Sequence, residues 1–406
     1  MDDQKLPVSA LYGLGFTQII GYGTLYYAFS ILVPDIARQL GWSEQWVFGA
    51  FSGSLLAGSL IAPTAGHWAD RIGAGRLMAV GSVGAAIALL LTAAAPGPIT
   101  FCLALALTQV VSATVLYSTA FVAIVQIGGR KAQKSCVHLT LIAGFASTLF
   151  WSLTSWLHDW MSWRQVYLLF ALLNIGVCFP IHLWLARLSS SKGAGEQPTH
   201  SFASAVSPTT PPQKGQLIFI LMLIGFAIEG YALSAVLVHM VPLTQALGLG
   251  AFGIYIASLF GPSQVASRFV NLLFGGGLTQ TWLAVIATLF LPLGLAILLP
   301  TSPWIVGAVA FAICVGLGSG LTSIVGGTLP LELFGREGYG KRLGWCTSAK
   351  QFTSAIAPVS MSASLSAVGV VPSLWIVALI GMVGAIAFLA IPLIVRQGMI
   401  TSPLNA

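Results

Sequence analysis

The stretch GHWADRIGAGR, residues 66–76, places three charges (Asp70, Arg71 and Arg76) within seven positions of a chain in which only 7% of residues are charged. Long apolar runs flank it, at about 45–66 and 76–95. A charged, glycine-punctuated link between two runs of roughly twenty apolar residues reads as a turn between membrane-crossing segments.

Working outward, the whole 406-residue chain follows the same plan. It is 57% hydrophobic, whereas a soluble protein carries roughly a quarter charged residues. Too little polar surface exists to keep such a chain wet, so most of its surface faces lipid. The apolar runs are too long for the short alternating strands of an outer-membrane barrel. Helices are therefore the spanning element, since they satisfy every backbone group within the segment. Twelve runs are predicted: 9–33, 45–66, 76–95, 98–127, 136–158, 164–187, 216–240, 250–273, 279–300, 304–330, 343–368 and 371–396. The first is too long for the apolar core of a secretory signal.

Between the sixth and seventh runs lies a stretch rich in Ser, Thr, Pro and Gly, LSSSKGAGEQPTHSFASAVSPTTPPQKG. Its composition reads as a polar linker. The expected organisation is an N-terminal six-helix bundle over 1–187, a cytoplasmic linker over 188–215 and a C-terminal six-helix bundle over 216–406. YAFS at 27–30 and YALS at 231–234 stand at corresponding places in the two halves, which points to a parallel repeat. Such repeats place a substrate site near the membrane midplane at the interface of the halves. In that register FGGGLTQ (274–280) is the uncharged counterpart of GHWADRIGAGR.

The net charge of +7 is spread over short connections and forms no patch, so nucleic-acid binding is set aside. One side of the membrane collects Lys5, Arg71, Arg76, Arg130, Lys131, Lys134, Arg187, Lys192, Lys214, Arg336, Lys341, Arg342 and Arg396, and the other only Arg38 and Arg164. That bias predicts a multi-pass protein of the cytoplasmic (inner) membrane with both termini cytoplasmic. The five cysteines lack metal-ligand spacing and read as small apolar packers. No metalloprotease, nucleophile-elbow or Walker motif occurs, so an enzyme, a metal and a cofactor are not expected.

Three ionisable residues lie well inside predicted helices: Glu229, Arg268 and Lys350. Each costs at least about 2.5 kcal/mol if it faces lipid. Helical spacing gathers Ser263, Gln264, Ser267, Arg268 and Asn271 on one polar arc, and Thr347, Lys350, Gln351 and Ser354 on another. Two cations on polar arcs suit an anionic ligand, with arginine able to grip a carboxylate through two parallel hydrogen bonds. Glu229 either carries a proton or neutralises one of the cations. Gln18, Tyr22 and Tyr26 share a face of the first helix, and Thr114, Tyr117 and Ser118 one on the fourth. These groups could hydrogen-bond a ligand or join helices. The small residues of GLGSGLTS (316–323) read as close packing or a bend.

GHWADRIGAGR resembles the signature loop between the second and third helices of the major facilitator superfamily, with Gly66, Asp70, Arg71 and Gly73 matching. Ala74-Gly75 stand where a basic pair usually follows, and Arg76 comes one place later. The Trp-Arg start of the sixth helix, SWRQVYLLFALL (162–173), is also similar to this superfamily. The resemblance implies an all-α fold of twelve helices in two six-helix bundles that transports by alternating access. It further implies that Gly66, Asp70, Arg71, Gly73 and Arg76 form a cytoplasmic gate. GYGTLYYAFSILVPDIARQLGWS (21–43) looks most like bacterial relatives of the monocarboxylate transporters. In that family an acid and an arginine stand four apart on the eighth helix; here the pair is Gln264 and Arg268.

The resulting expectation is a monomeric secondary transporter of a small organic anion, coupled to protons. The substrate-binding or ion-coupling residues would be Arg268, Lys350, Glu229, Gln264, Asn271, Gln351, Tyr117, Tyr22, Tyr26 and Gln18. The alternative is a proton-antiporting efflux pump for a drug, metabolite or toxic oxyanion. Against it, LALALTQVVSATV (103–115) lacks the arginine and LIAGFASTLFWSLT (141–154) lacks the Gly-Pro motif of drug antiporters.

Overall fold

The computed structural model describes residues 7–128, 132–193, 214–250 and 252–400. Lys5, Arg130, Lys131 and the linker residues 194–213 lie outside them. Among the described residues there is no strand, and twelve helices follow in chain order. They are α1 (Val8–Leu40), α2 (Glu44–Ile72), α3 (Ala74–Ala94), α4 (Pro98–Ile127), α5 (Ala132–His158) and α6 (Trp163–Ser189). Then come α7 (Gly215–Thr244), α8 (252–274), α9 (Gln280–Thr301), α10 (Ile305–Phe334), α11 (Tyr339–Val368) and α12 (Val370–Ile400). Ten of the twelve are long and apolar enough to cross a membrane. The other two, α8 and α11, are the helices that carry Arg268 and Lys350 and their polar arcs. Their low hydropathy follows from the polar groups that face inward.

The chain divides into two compact units. The first comprises Met1–Val206 with Arg336–Ser348, and the second Ser207–Gly335 with Ala349–Ala406, so α11 begins in one and ends in the other. The core of the first unit runs through Phe29, Leu32, Phe101, Trp163 and Phe170, and that of the second through Val236, Leu295, Phe311 and Leu374. Cys136, Cys178 and Cys346 are buried, and all five thiols are free.

Helix ends follow the local sequence. Ser43 caps α2, its Oγ accepting from Trp46 N at 3.4 Å. Between α2 and α3 the turn is a single residue, Gly73, at φ +92°, where a side chain would be strained. The Gln126 side chain clamps that turn: it accepts from Ala74 N at 2.9 Å and donates to Ala69 O at 2.9 Å. The second unit repeats the device. Near the end of α10, Glu332 accepts from Gln280 N at 2.8 Å, at the start of α9. The fourth helix of each half thus caps the third, which supports the parallel repeat. Ser162 and Gln165 form a capping box at the start of α6. Arg164 donates to Ala93 O and Ala95 O, at 2.5 and 2.8 Å, and so covers carbonyls at the end of α3. The Trp-Arg motif is in this sense a staple between α3 and α6.

Candidate functional site

In the second unit Glu229 and Arg268 meet neighbouring hydroxyls of α10, and Lys350 pairs with Glu229. Glu229 on α7 is 8% exposed, and its Oε2 lies 2.7 Å from Lys350 Nζ on α11. Its other oxygen, Oε1, accepts from Thr322 Oγ1 at 3.0 Å. Arg268 on α8, 4% exposed, donates from Nη2 to Ser323 Oγ at 3.1 Å. Gln264, one turn earlier, donates to Ser319 Oγ at 2.9 Å. Ser319 and Ser323 therefore receive α8, and Thr322 between them meets α7. These hydroxyls are not marked in the sequence, where GLGSGLTS reads as close packing or a bend.

Packing is the other half of what that stretch does. A Cβ at Gly320 would overlap Ser267 Oγ, and one at Gly316 would stand 2.6 Å from Phe260 O. α8 therefore lies against α10 at backbone distance, along a helix that runs unbroken from Ile305 to Phe334. On the α11 side, Ser354 Oγ donates to Gly230 O and Thr353 Oγ1 to Ala227 O, at 2.9 and 2.6 Å. These bonds hold Lys350 beside Glu229.

The charge sum is one carboxylate against two cations, with Lys350 still 32% exposed. Beside Glu229, a cavity of about 20 Å³ is lined by Thr288, Ser319, Gly318, Gly381 and Gly384, space for about one water. Asn271 lies further along α8, its Oδ1 packed against Gly275, and Gln351 follows Lys350 on α11.

In the first unit, Gln18 is fully buried and its Nε2 donates to Val115 O at 2.8 Å. That carbonyl is exposed by a break in α4: Leu116 is extended, and the N–H groups of Thr119 and Ala120 both turn to Leu116 O. In α1 the segment Gly23–Tyr27 widens into a π-turn. Gln109 of α4 donates from Nε2 to Leu25 O there, at 3.0 Å. Each helix thus lends a glutamine amide to the irregularity of the other. Asn174, at a second π-turn in α6, donates to Thr24 Oγ1 at 3.0 Å. Irregular turns of this kind concentrate at functional sites in helices.

The break and the π-turn also rearrange the aromatic groups. Tyr22 packs on Tyr117 with centroids 4.7 Å apart, whereas Tyr26 turns to Tyr27 and Phe51, at 5.3 and 5.5 Å. Tyr27 in turn meets Trp151 at 5.7 Å. The regular face expected for Gln18, Tyr22 and Tyr26 is therefore split. Gln109, Asn174, Tyr27 and Trp151 join the cluster without a motif in the sequence to mark them.

Also within the first unit, the end of α2 meets the start of α11. Asp70 accepts from Gly340 N through Oδ1 and from Lys341 N through Oδ2, both at 2.9 Å. A carboxylate thus takes two N–H groups of the first turn of α11, which the helix leaves unpaired, and gains from the dipole. A Cβ at Gly66 would overlap the Gly340 carbonyl oxygen, so only glycine lets the backbones approach this closely. Arg71 and Arg76 are exposed.

The comparisons with known proteins agree with this architecture. Among curated proteins no sequence matches. The fold is similar to that of the proton:xylose symporter XylE bound to 6-bromo-6-deoxy-D-glucose, at a TM-score of 0.71 and 13% identity, over 94% of this chain and 96% of that one. It is also similar to the human organic anion transporter MFSD10 (TETRAN), at 0.64 and 15%, over 96% and 100%. A third likeness is to FucP in the outward conformation, at 0.65 and 13%, over 96% and 99%. At these identities the likeness is one of fold. The family model described as Major Facilitator Superfamily matches residues 14–358, and with twelve helices in a doubled six-helix plan the chain belongs to that superfamily of membrane transporters.

Proposed function

We propose that this chain is a secondary active transporter that moves a small organic anion, monocarboxylate-like in kind, across the cytoplasmic membrane by alternating access. The observation that carries this reading is that Glu229 is paired with the half-buried Lys350 and hydrogen-bonded to Thr322 of α10, while the buried Arg268 lies on the adjacent Ser323. A net positive site inside the membrane is costly unless an anion occupies it for part of the cycle. Arg268 offers a planar guanidinium for a carboxylate. An arriving anion would take over Lys350 from Glu229, and the released Glu229 would accept a proton. Substrate and proton would then move together, as in a symporter.

Asp70, with Gly66, Arg71, Gly73 and Arg76, would form a latch on the cytoplasmic side, where the two N–H bonds from α11 hold one state of the cycle. Orientation with both termini cytoplasmic, supported by the Lys and Arg distribution, belongs to the same proposal, as do a monomeric state and bundles over 1–187 and 216–406. Flux into proteoliposomes of a labelled monocarboxylate, with and without an inward proton gradient, tests it. Uptake stimulated by the gradient and abolished in Arg268→Ala supports the reading. Unchanged carboxylate flux in Arg268→Ala removes the anion site.

A further inference from the structure

Away from the charged cluster, the lipid-facing side of the first unit carries an apolar groove of about 640 Å³ between α3 and α6. Its floor is made by the small residues Ala79 and Ala186, and its walls by Val80, Ile87, Phe179 and Leu183. The two helices are pinned beneath it by Ser82 Oγ and His182 Nδ1, 2.7 Å apart and buried. From Arg76 to Ile87 is eleven residues, about 16 Å of helix rise. That is roughly half of a ~30 Å hydrocarbon core, or one leaflet.

The groove is polarised. Arg76 lines one end, and the chain lies closest there: a Cβ at Gly75 would stand 2.7 Å from Ala186 N. The residues that follow those two, Arg76 and Arg187, are both exposed at that level. No carboxylate lines the groove. The groove is long enough for an extended hydrocarbon chain, and the cations at its interfacial end, with no carboxylate in its lining, suit an anionic lipid rather than a helix from a partner or a second copy.

We propose that the α3–α6 groove is a binding site for one anionic phospholipid, with an acyl chain laid along Ala79, Val83 and Ala186 and the phosphate at Arg76 and Arg187. The charge complementarity at the interfacial end selects the headgroup, and the apolar walls hold the tail whatever the headgroup. Basic pockets between transmembrane helices recognise anionic lipids on this principle. The site is independent of the transported substrate.

The test is native mass spectrometry of the full-length protein, delipidated and titrated with phosphatidylglycerol or phosphatidylcholine bearing the same acyl chains. The first phosphatidylglycerol should bind about 25-fold more tightly than the first phosphatidylcholine, roughly fivefold for each arginine. In the double variant Arg76→Gln/Arg187→Gln the two lipids should bind alike. Val83→Phe, which narrows the groove, should weaken both lipids and keep their ratio. Equal binding of the two lipids by the unaltered protein overturns the proposal. So does full preference for phosphatidylglycerol in the double variant, or unchanged affinity for both lipids in Val83→Phe.

Discussion

Lys350 Nζ stands 2.7 Å from Glu229 Oε2, and the pair joins α11 to α7 in the interior of a membrane protein. Removing one partner leaves a charge in a poorly solvated place, whereas removing both does not. Glu229→Gln and Lys350→Met should each lower the thermal unfolding midpoint in detergent, and the double variant should recover part of the loss. A coupling energy of about 1–3 kcal/mol is expected from the cycle, reduced by the partial exposure of Lys350. Strict additivity would show that the pair contributes nothing to stability.

The latch can be probed at Asp70 without touching the charged cluster. Asn at this position keeps one acceptor but turns an NH₂ toward one of the two N–H groups that the carboxylate now takes. Asp70→Asn should slow flux in proteoliposomes while substrate-induced thermal stabilisation persists. Gly66→Ala should be the more damaging change, since its Cβ overlaps the Gly340 carbonyl oxygen. Wild-type flux in both variants would show that the α2–α11 contact is dispensable.

The exchange of amides between α1 and α4 predicts a stability effect in the first unit. Gln18→Leu strips Val115 O of its partner, and Gln109→Leu does the same to Leu25 O. A buried acceptor left unsatisfied costs about 1–3 kcal/mol. Each variant should therefore unfold at a lower temperature than the wild type, as read by thermal denaturation in detergent. A midpoint unchanged in both would mean that water replaces the amides.

Two glycines beside the Glu229 cavity should respond in opposite directions. At Gly381 a Cβ would have its nearest neighbour at 3.5 Å, ordinary contact, so Gly381→Ala fills space without strain. Together with the helix preference for alanine, a gain of up to about 1 kcal/mol is expected. At Gly384 the Cβ would lie 2.8 Å from Ile228 Cγ2, so Gly384→Ala should destabilise. Melting curves of the two single variants decide this, and a stabilised Gly384→Ala would contradict the tight α7–α12 contact.

Much of this was legible from residue order. Transmembrane helices announce themselves by length and apolarity, so most of the twelve runs emerged within a few residues of α1 to α12. Helices α1 and α2 continued to Leu40 and Ile72 because their polar ends extend beyond the apolar stretch, which leaves only Gly73 of the expected 66–76 turn outside a helix. The three intramembrane charges stood out for the same reason: against so apolar a background, Glu229, Arg268 and Lys350 are conspicuous. Gln126, Glu332 and Arg164 were not legible as caps, because their partners are backbone groups 52 to 71 positions away in sequence. Nor was the split of the Gln18, Tyr22 and Tyr26 face, since a helical-spacing argument assumes a regular helix and α1 carries a π-turn there.

By itself, then, the amino-acid sequence determined that the chain spans a membrane twelve times, where it does so and which charges are buried in it. The reason is that the bilayer acts on each segment separately and penalises every unpaired charge and backbone group locally. Tertiary structure alone decided which partner each buried group found. Glu229 chose Lys350 and Thr322, Arg268 lay with Ser323, and Asp70 reached the N–H groups of α11, because those partners depend on how glycine-lined helices approach one another and on no pattern within a single helix.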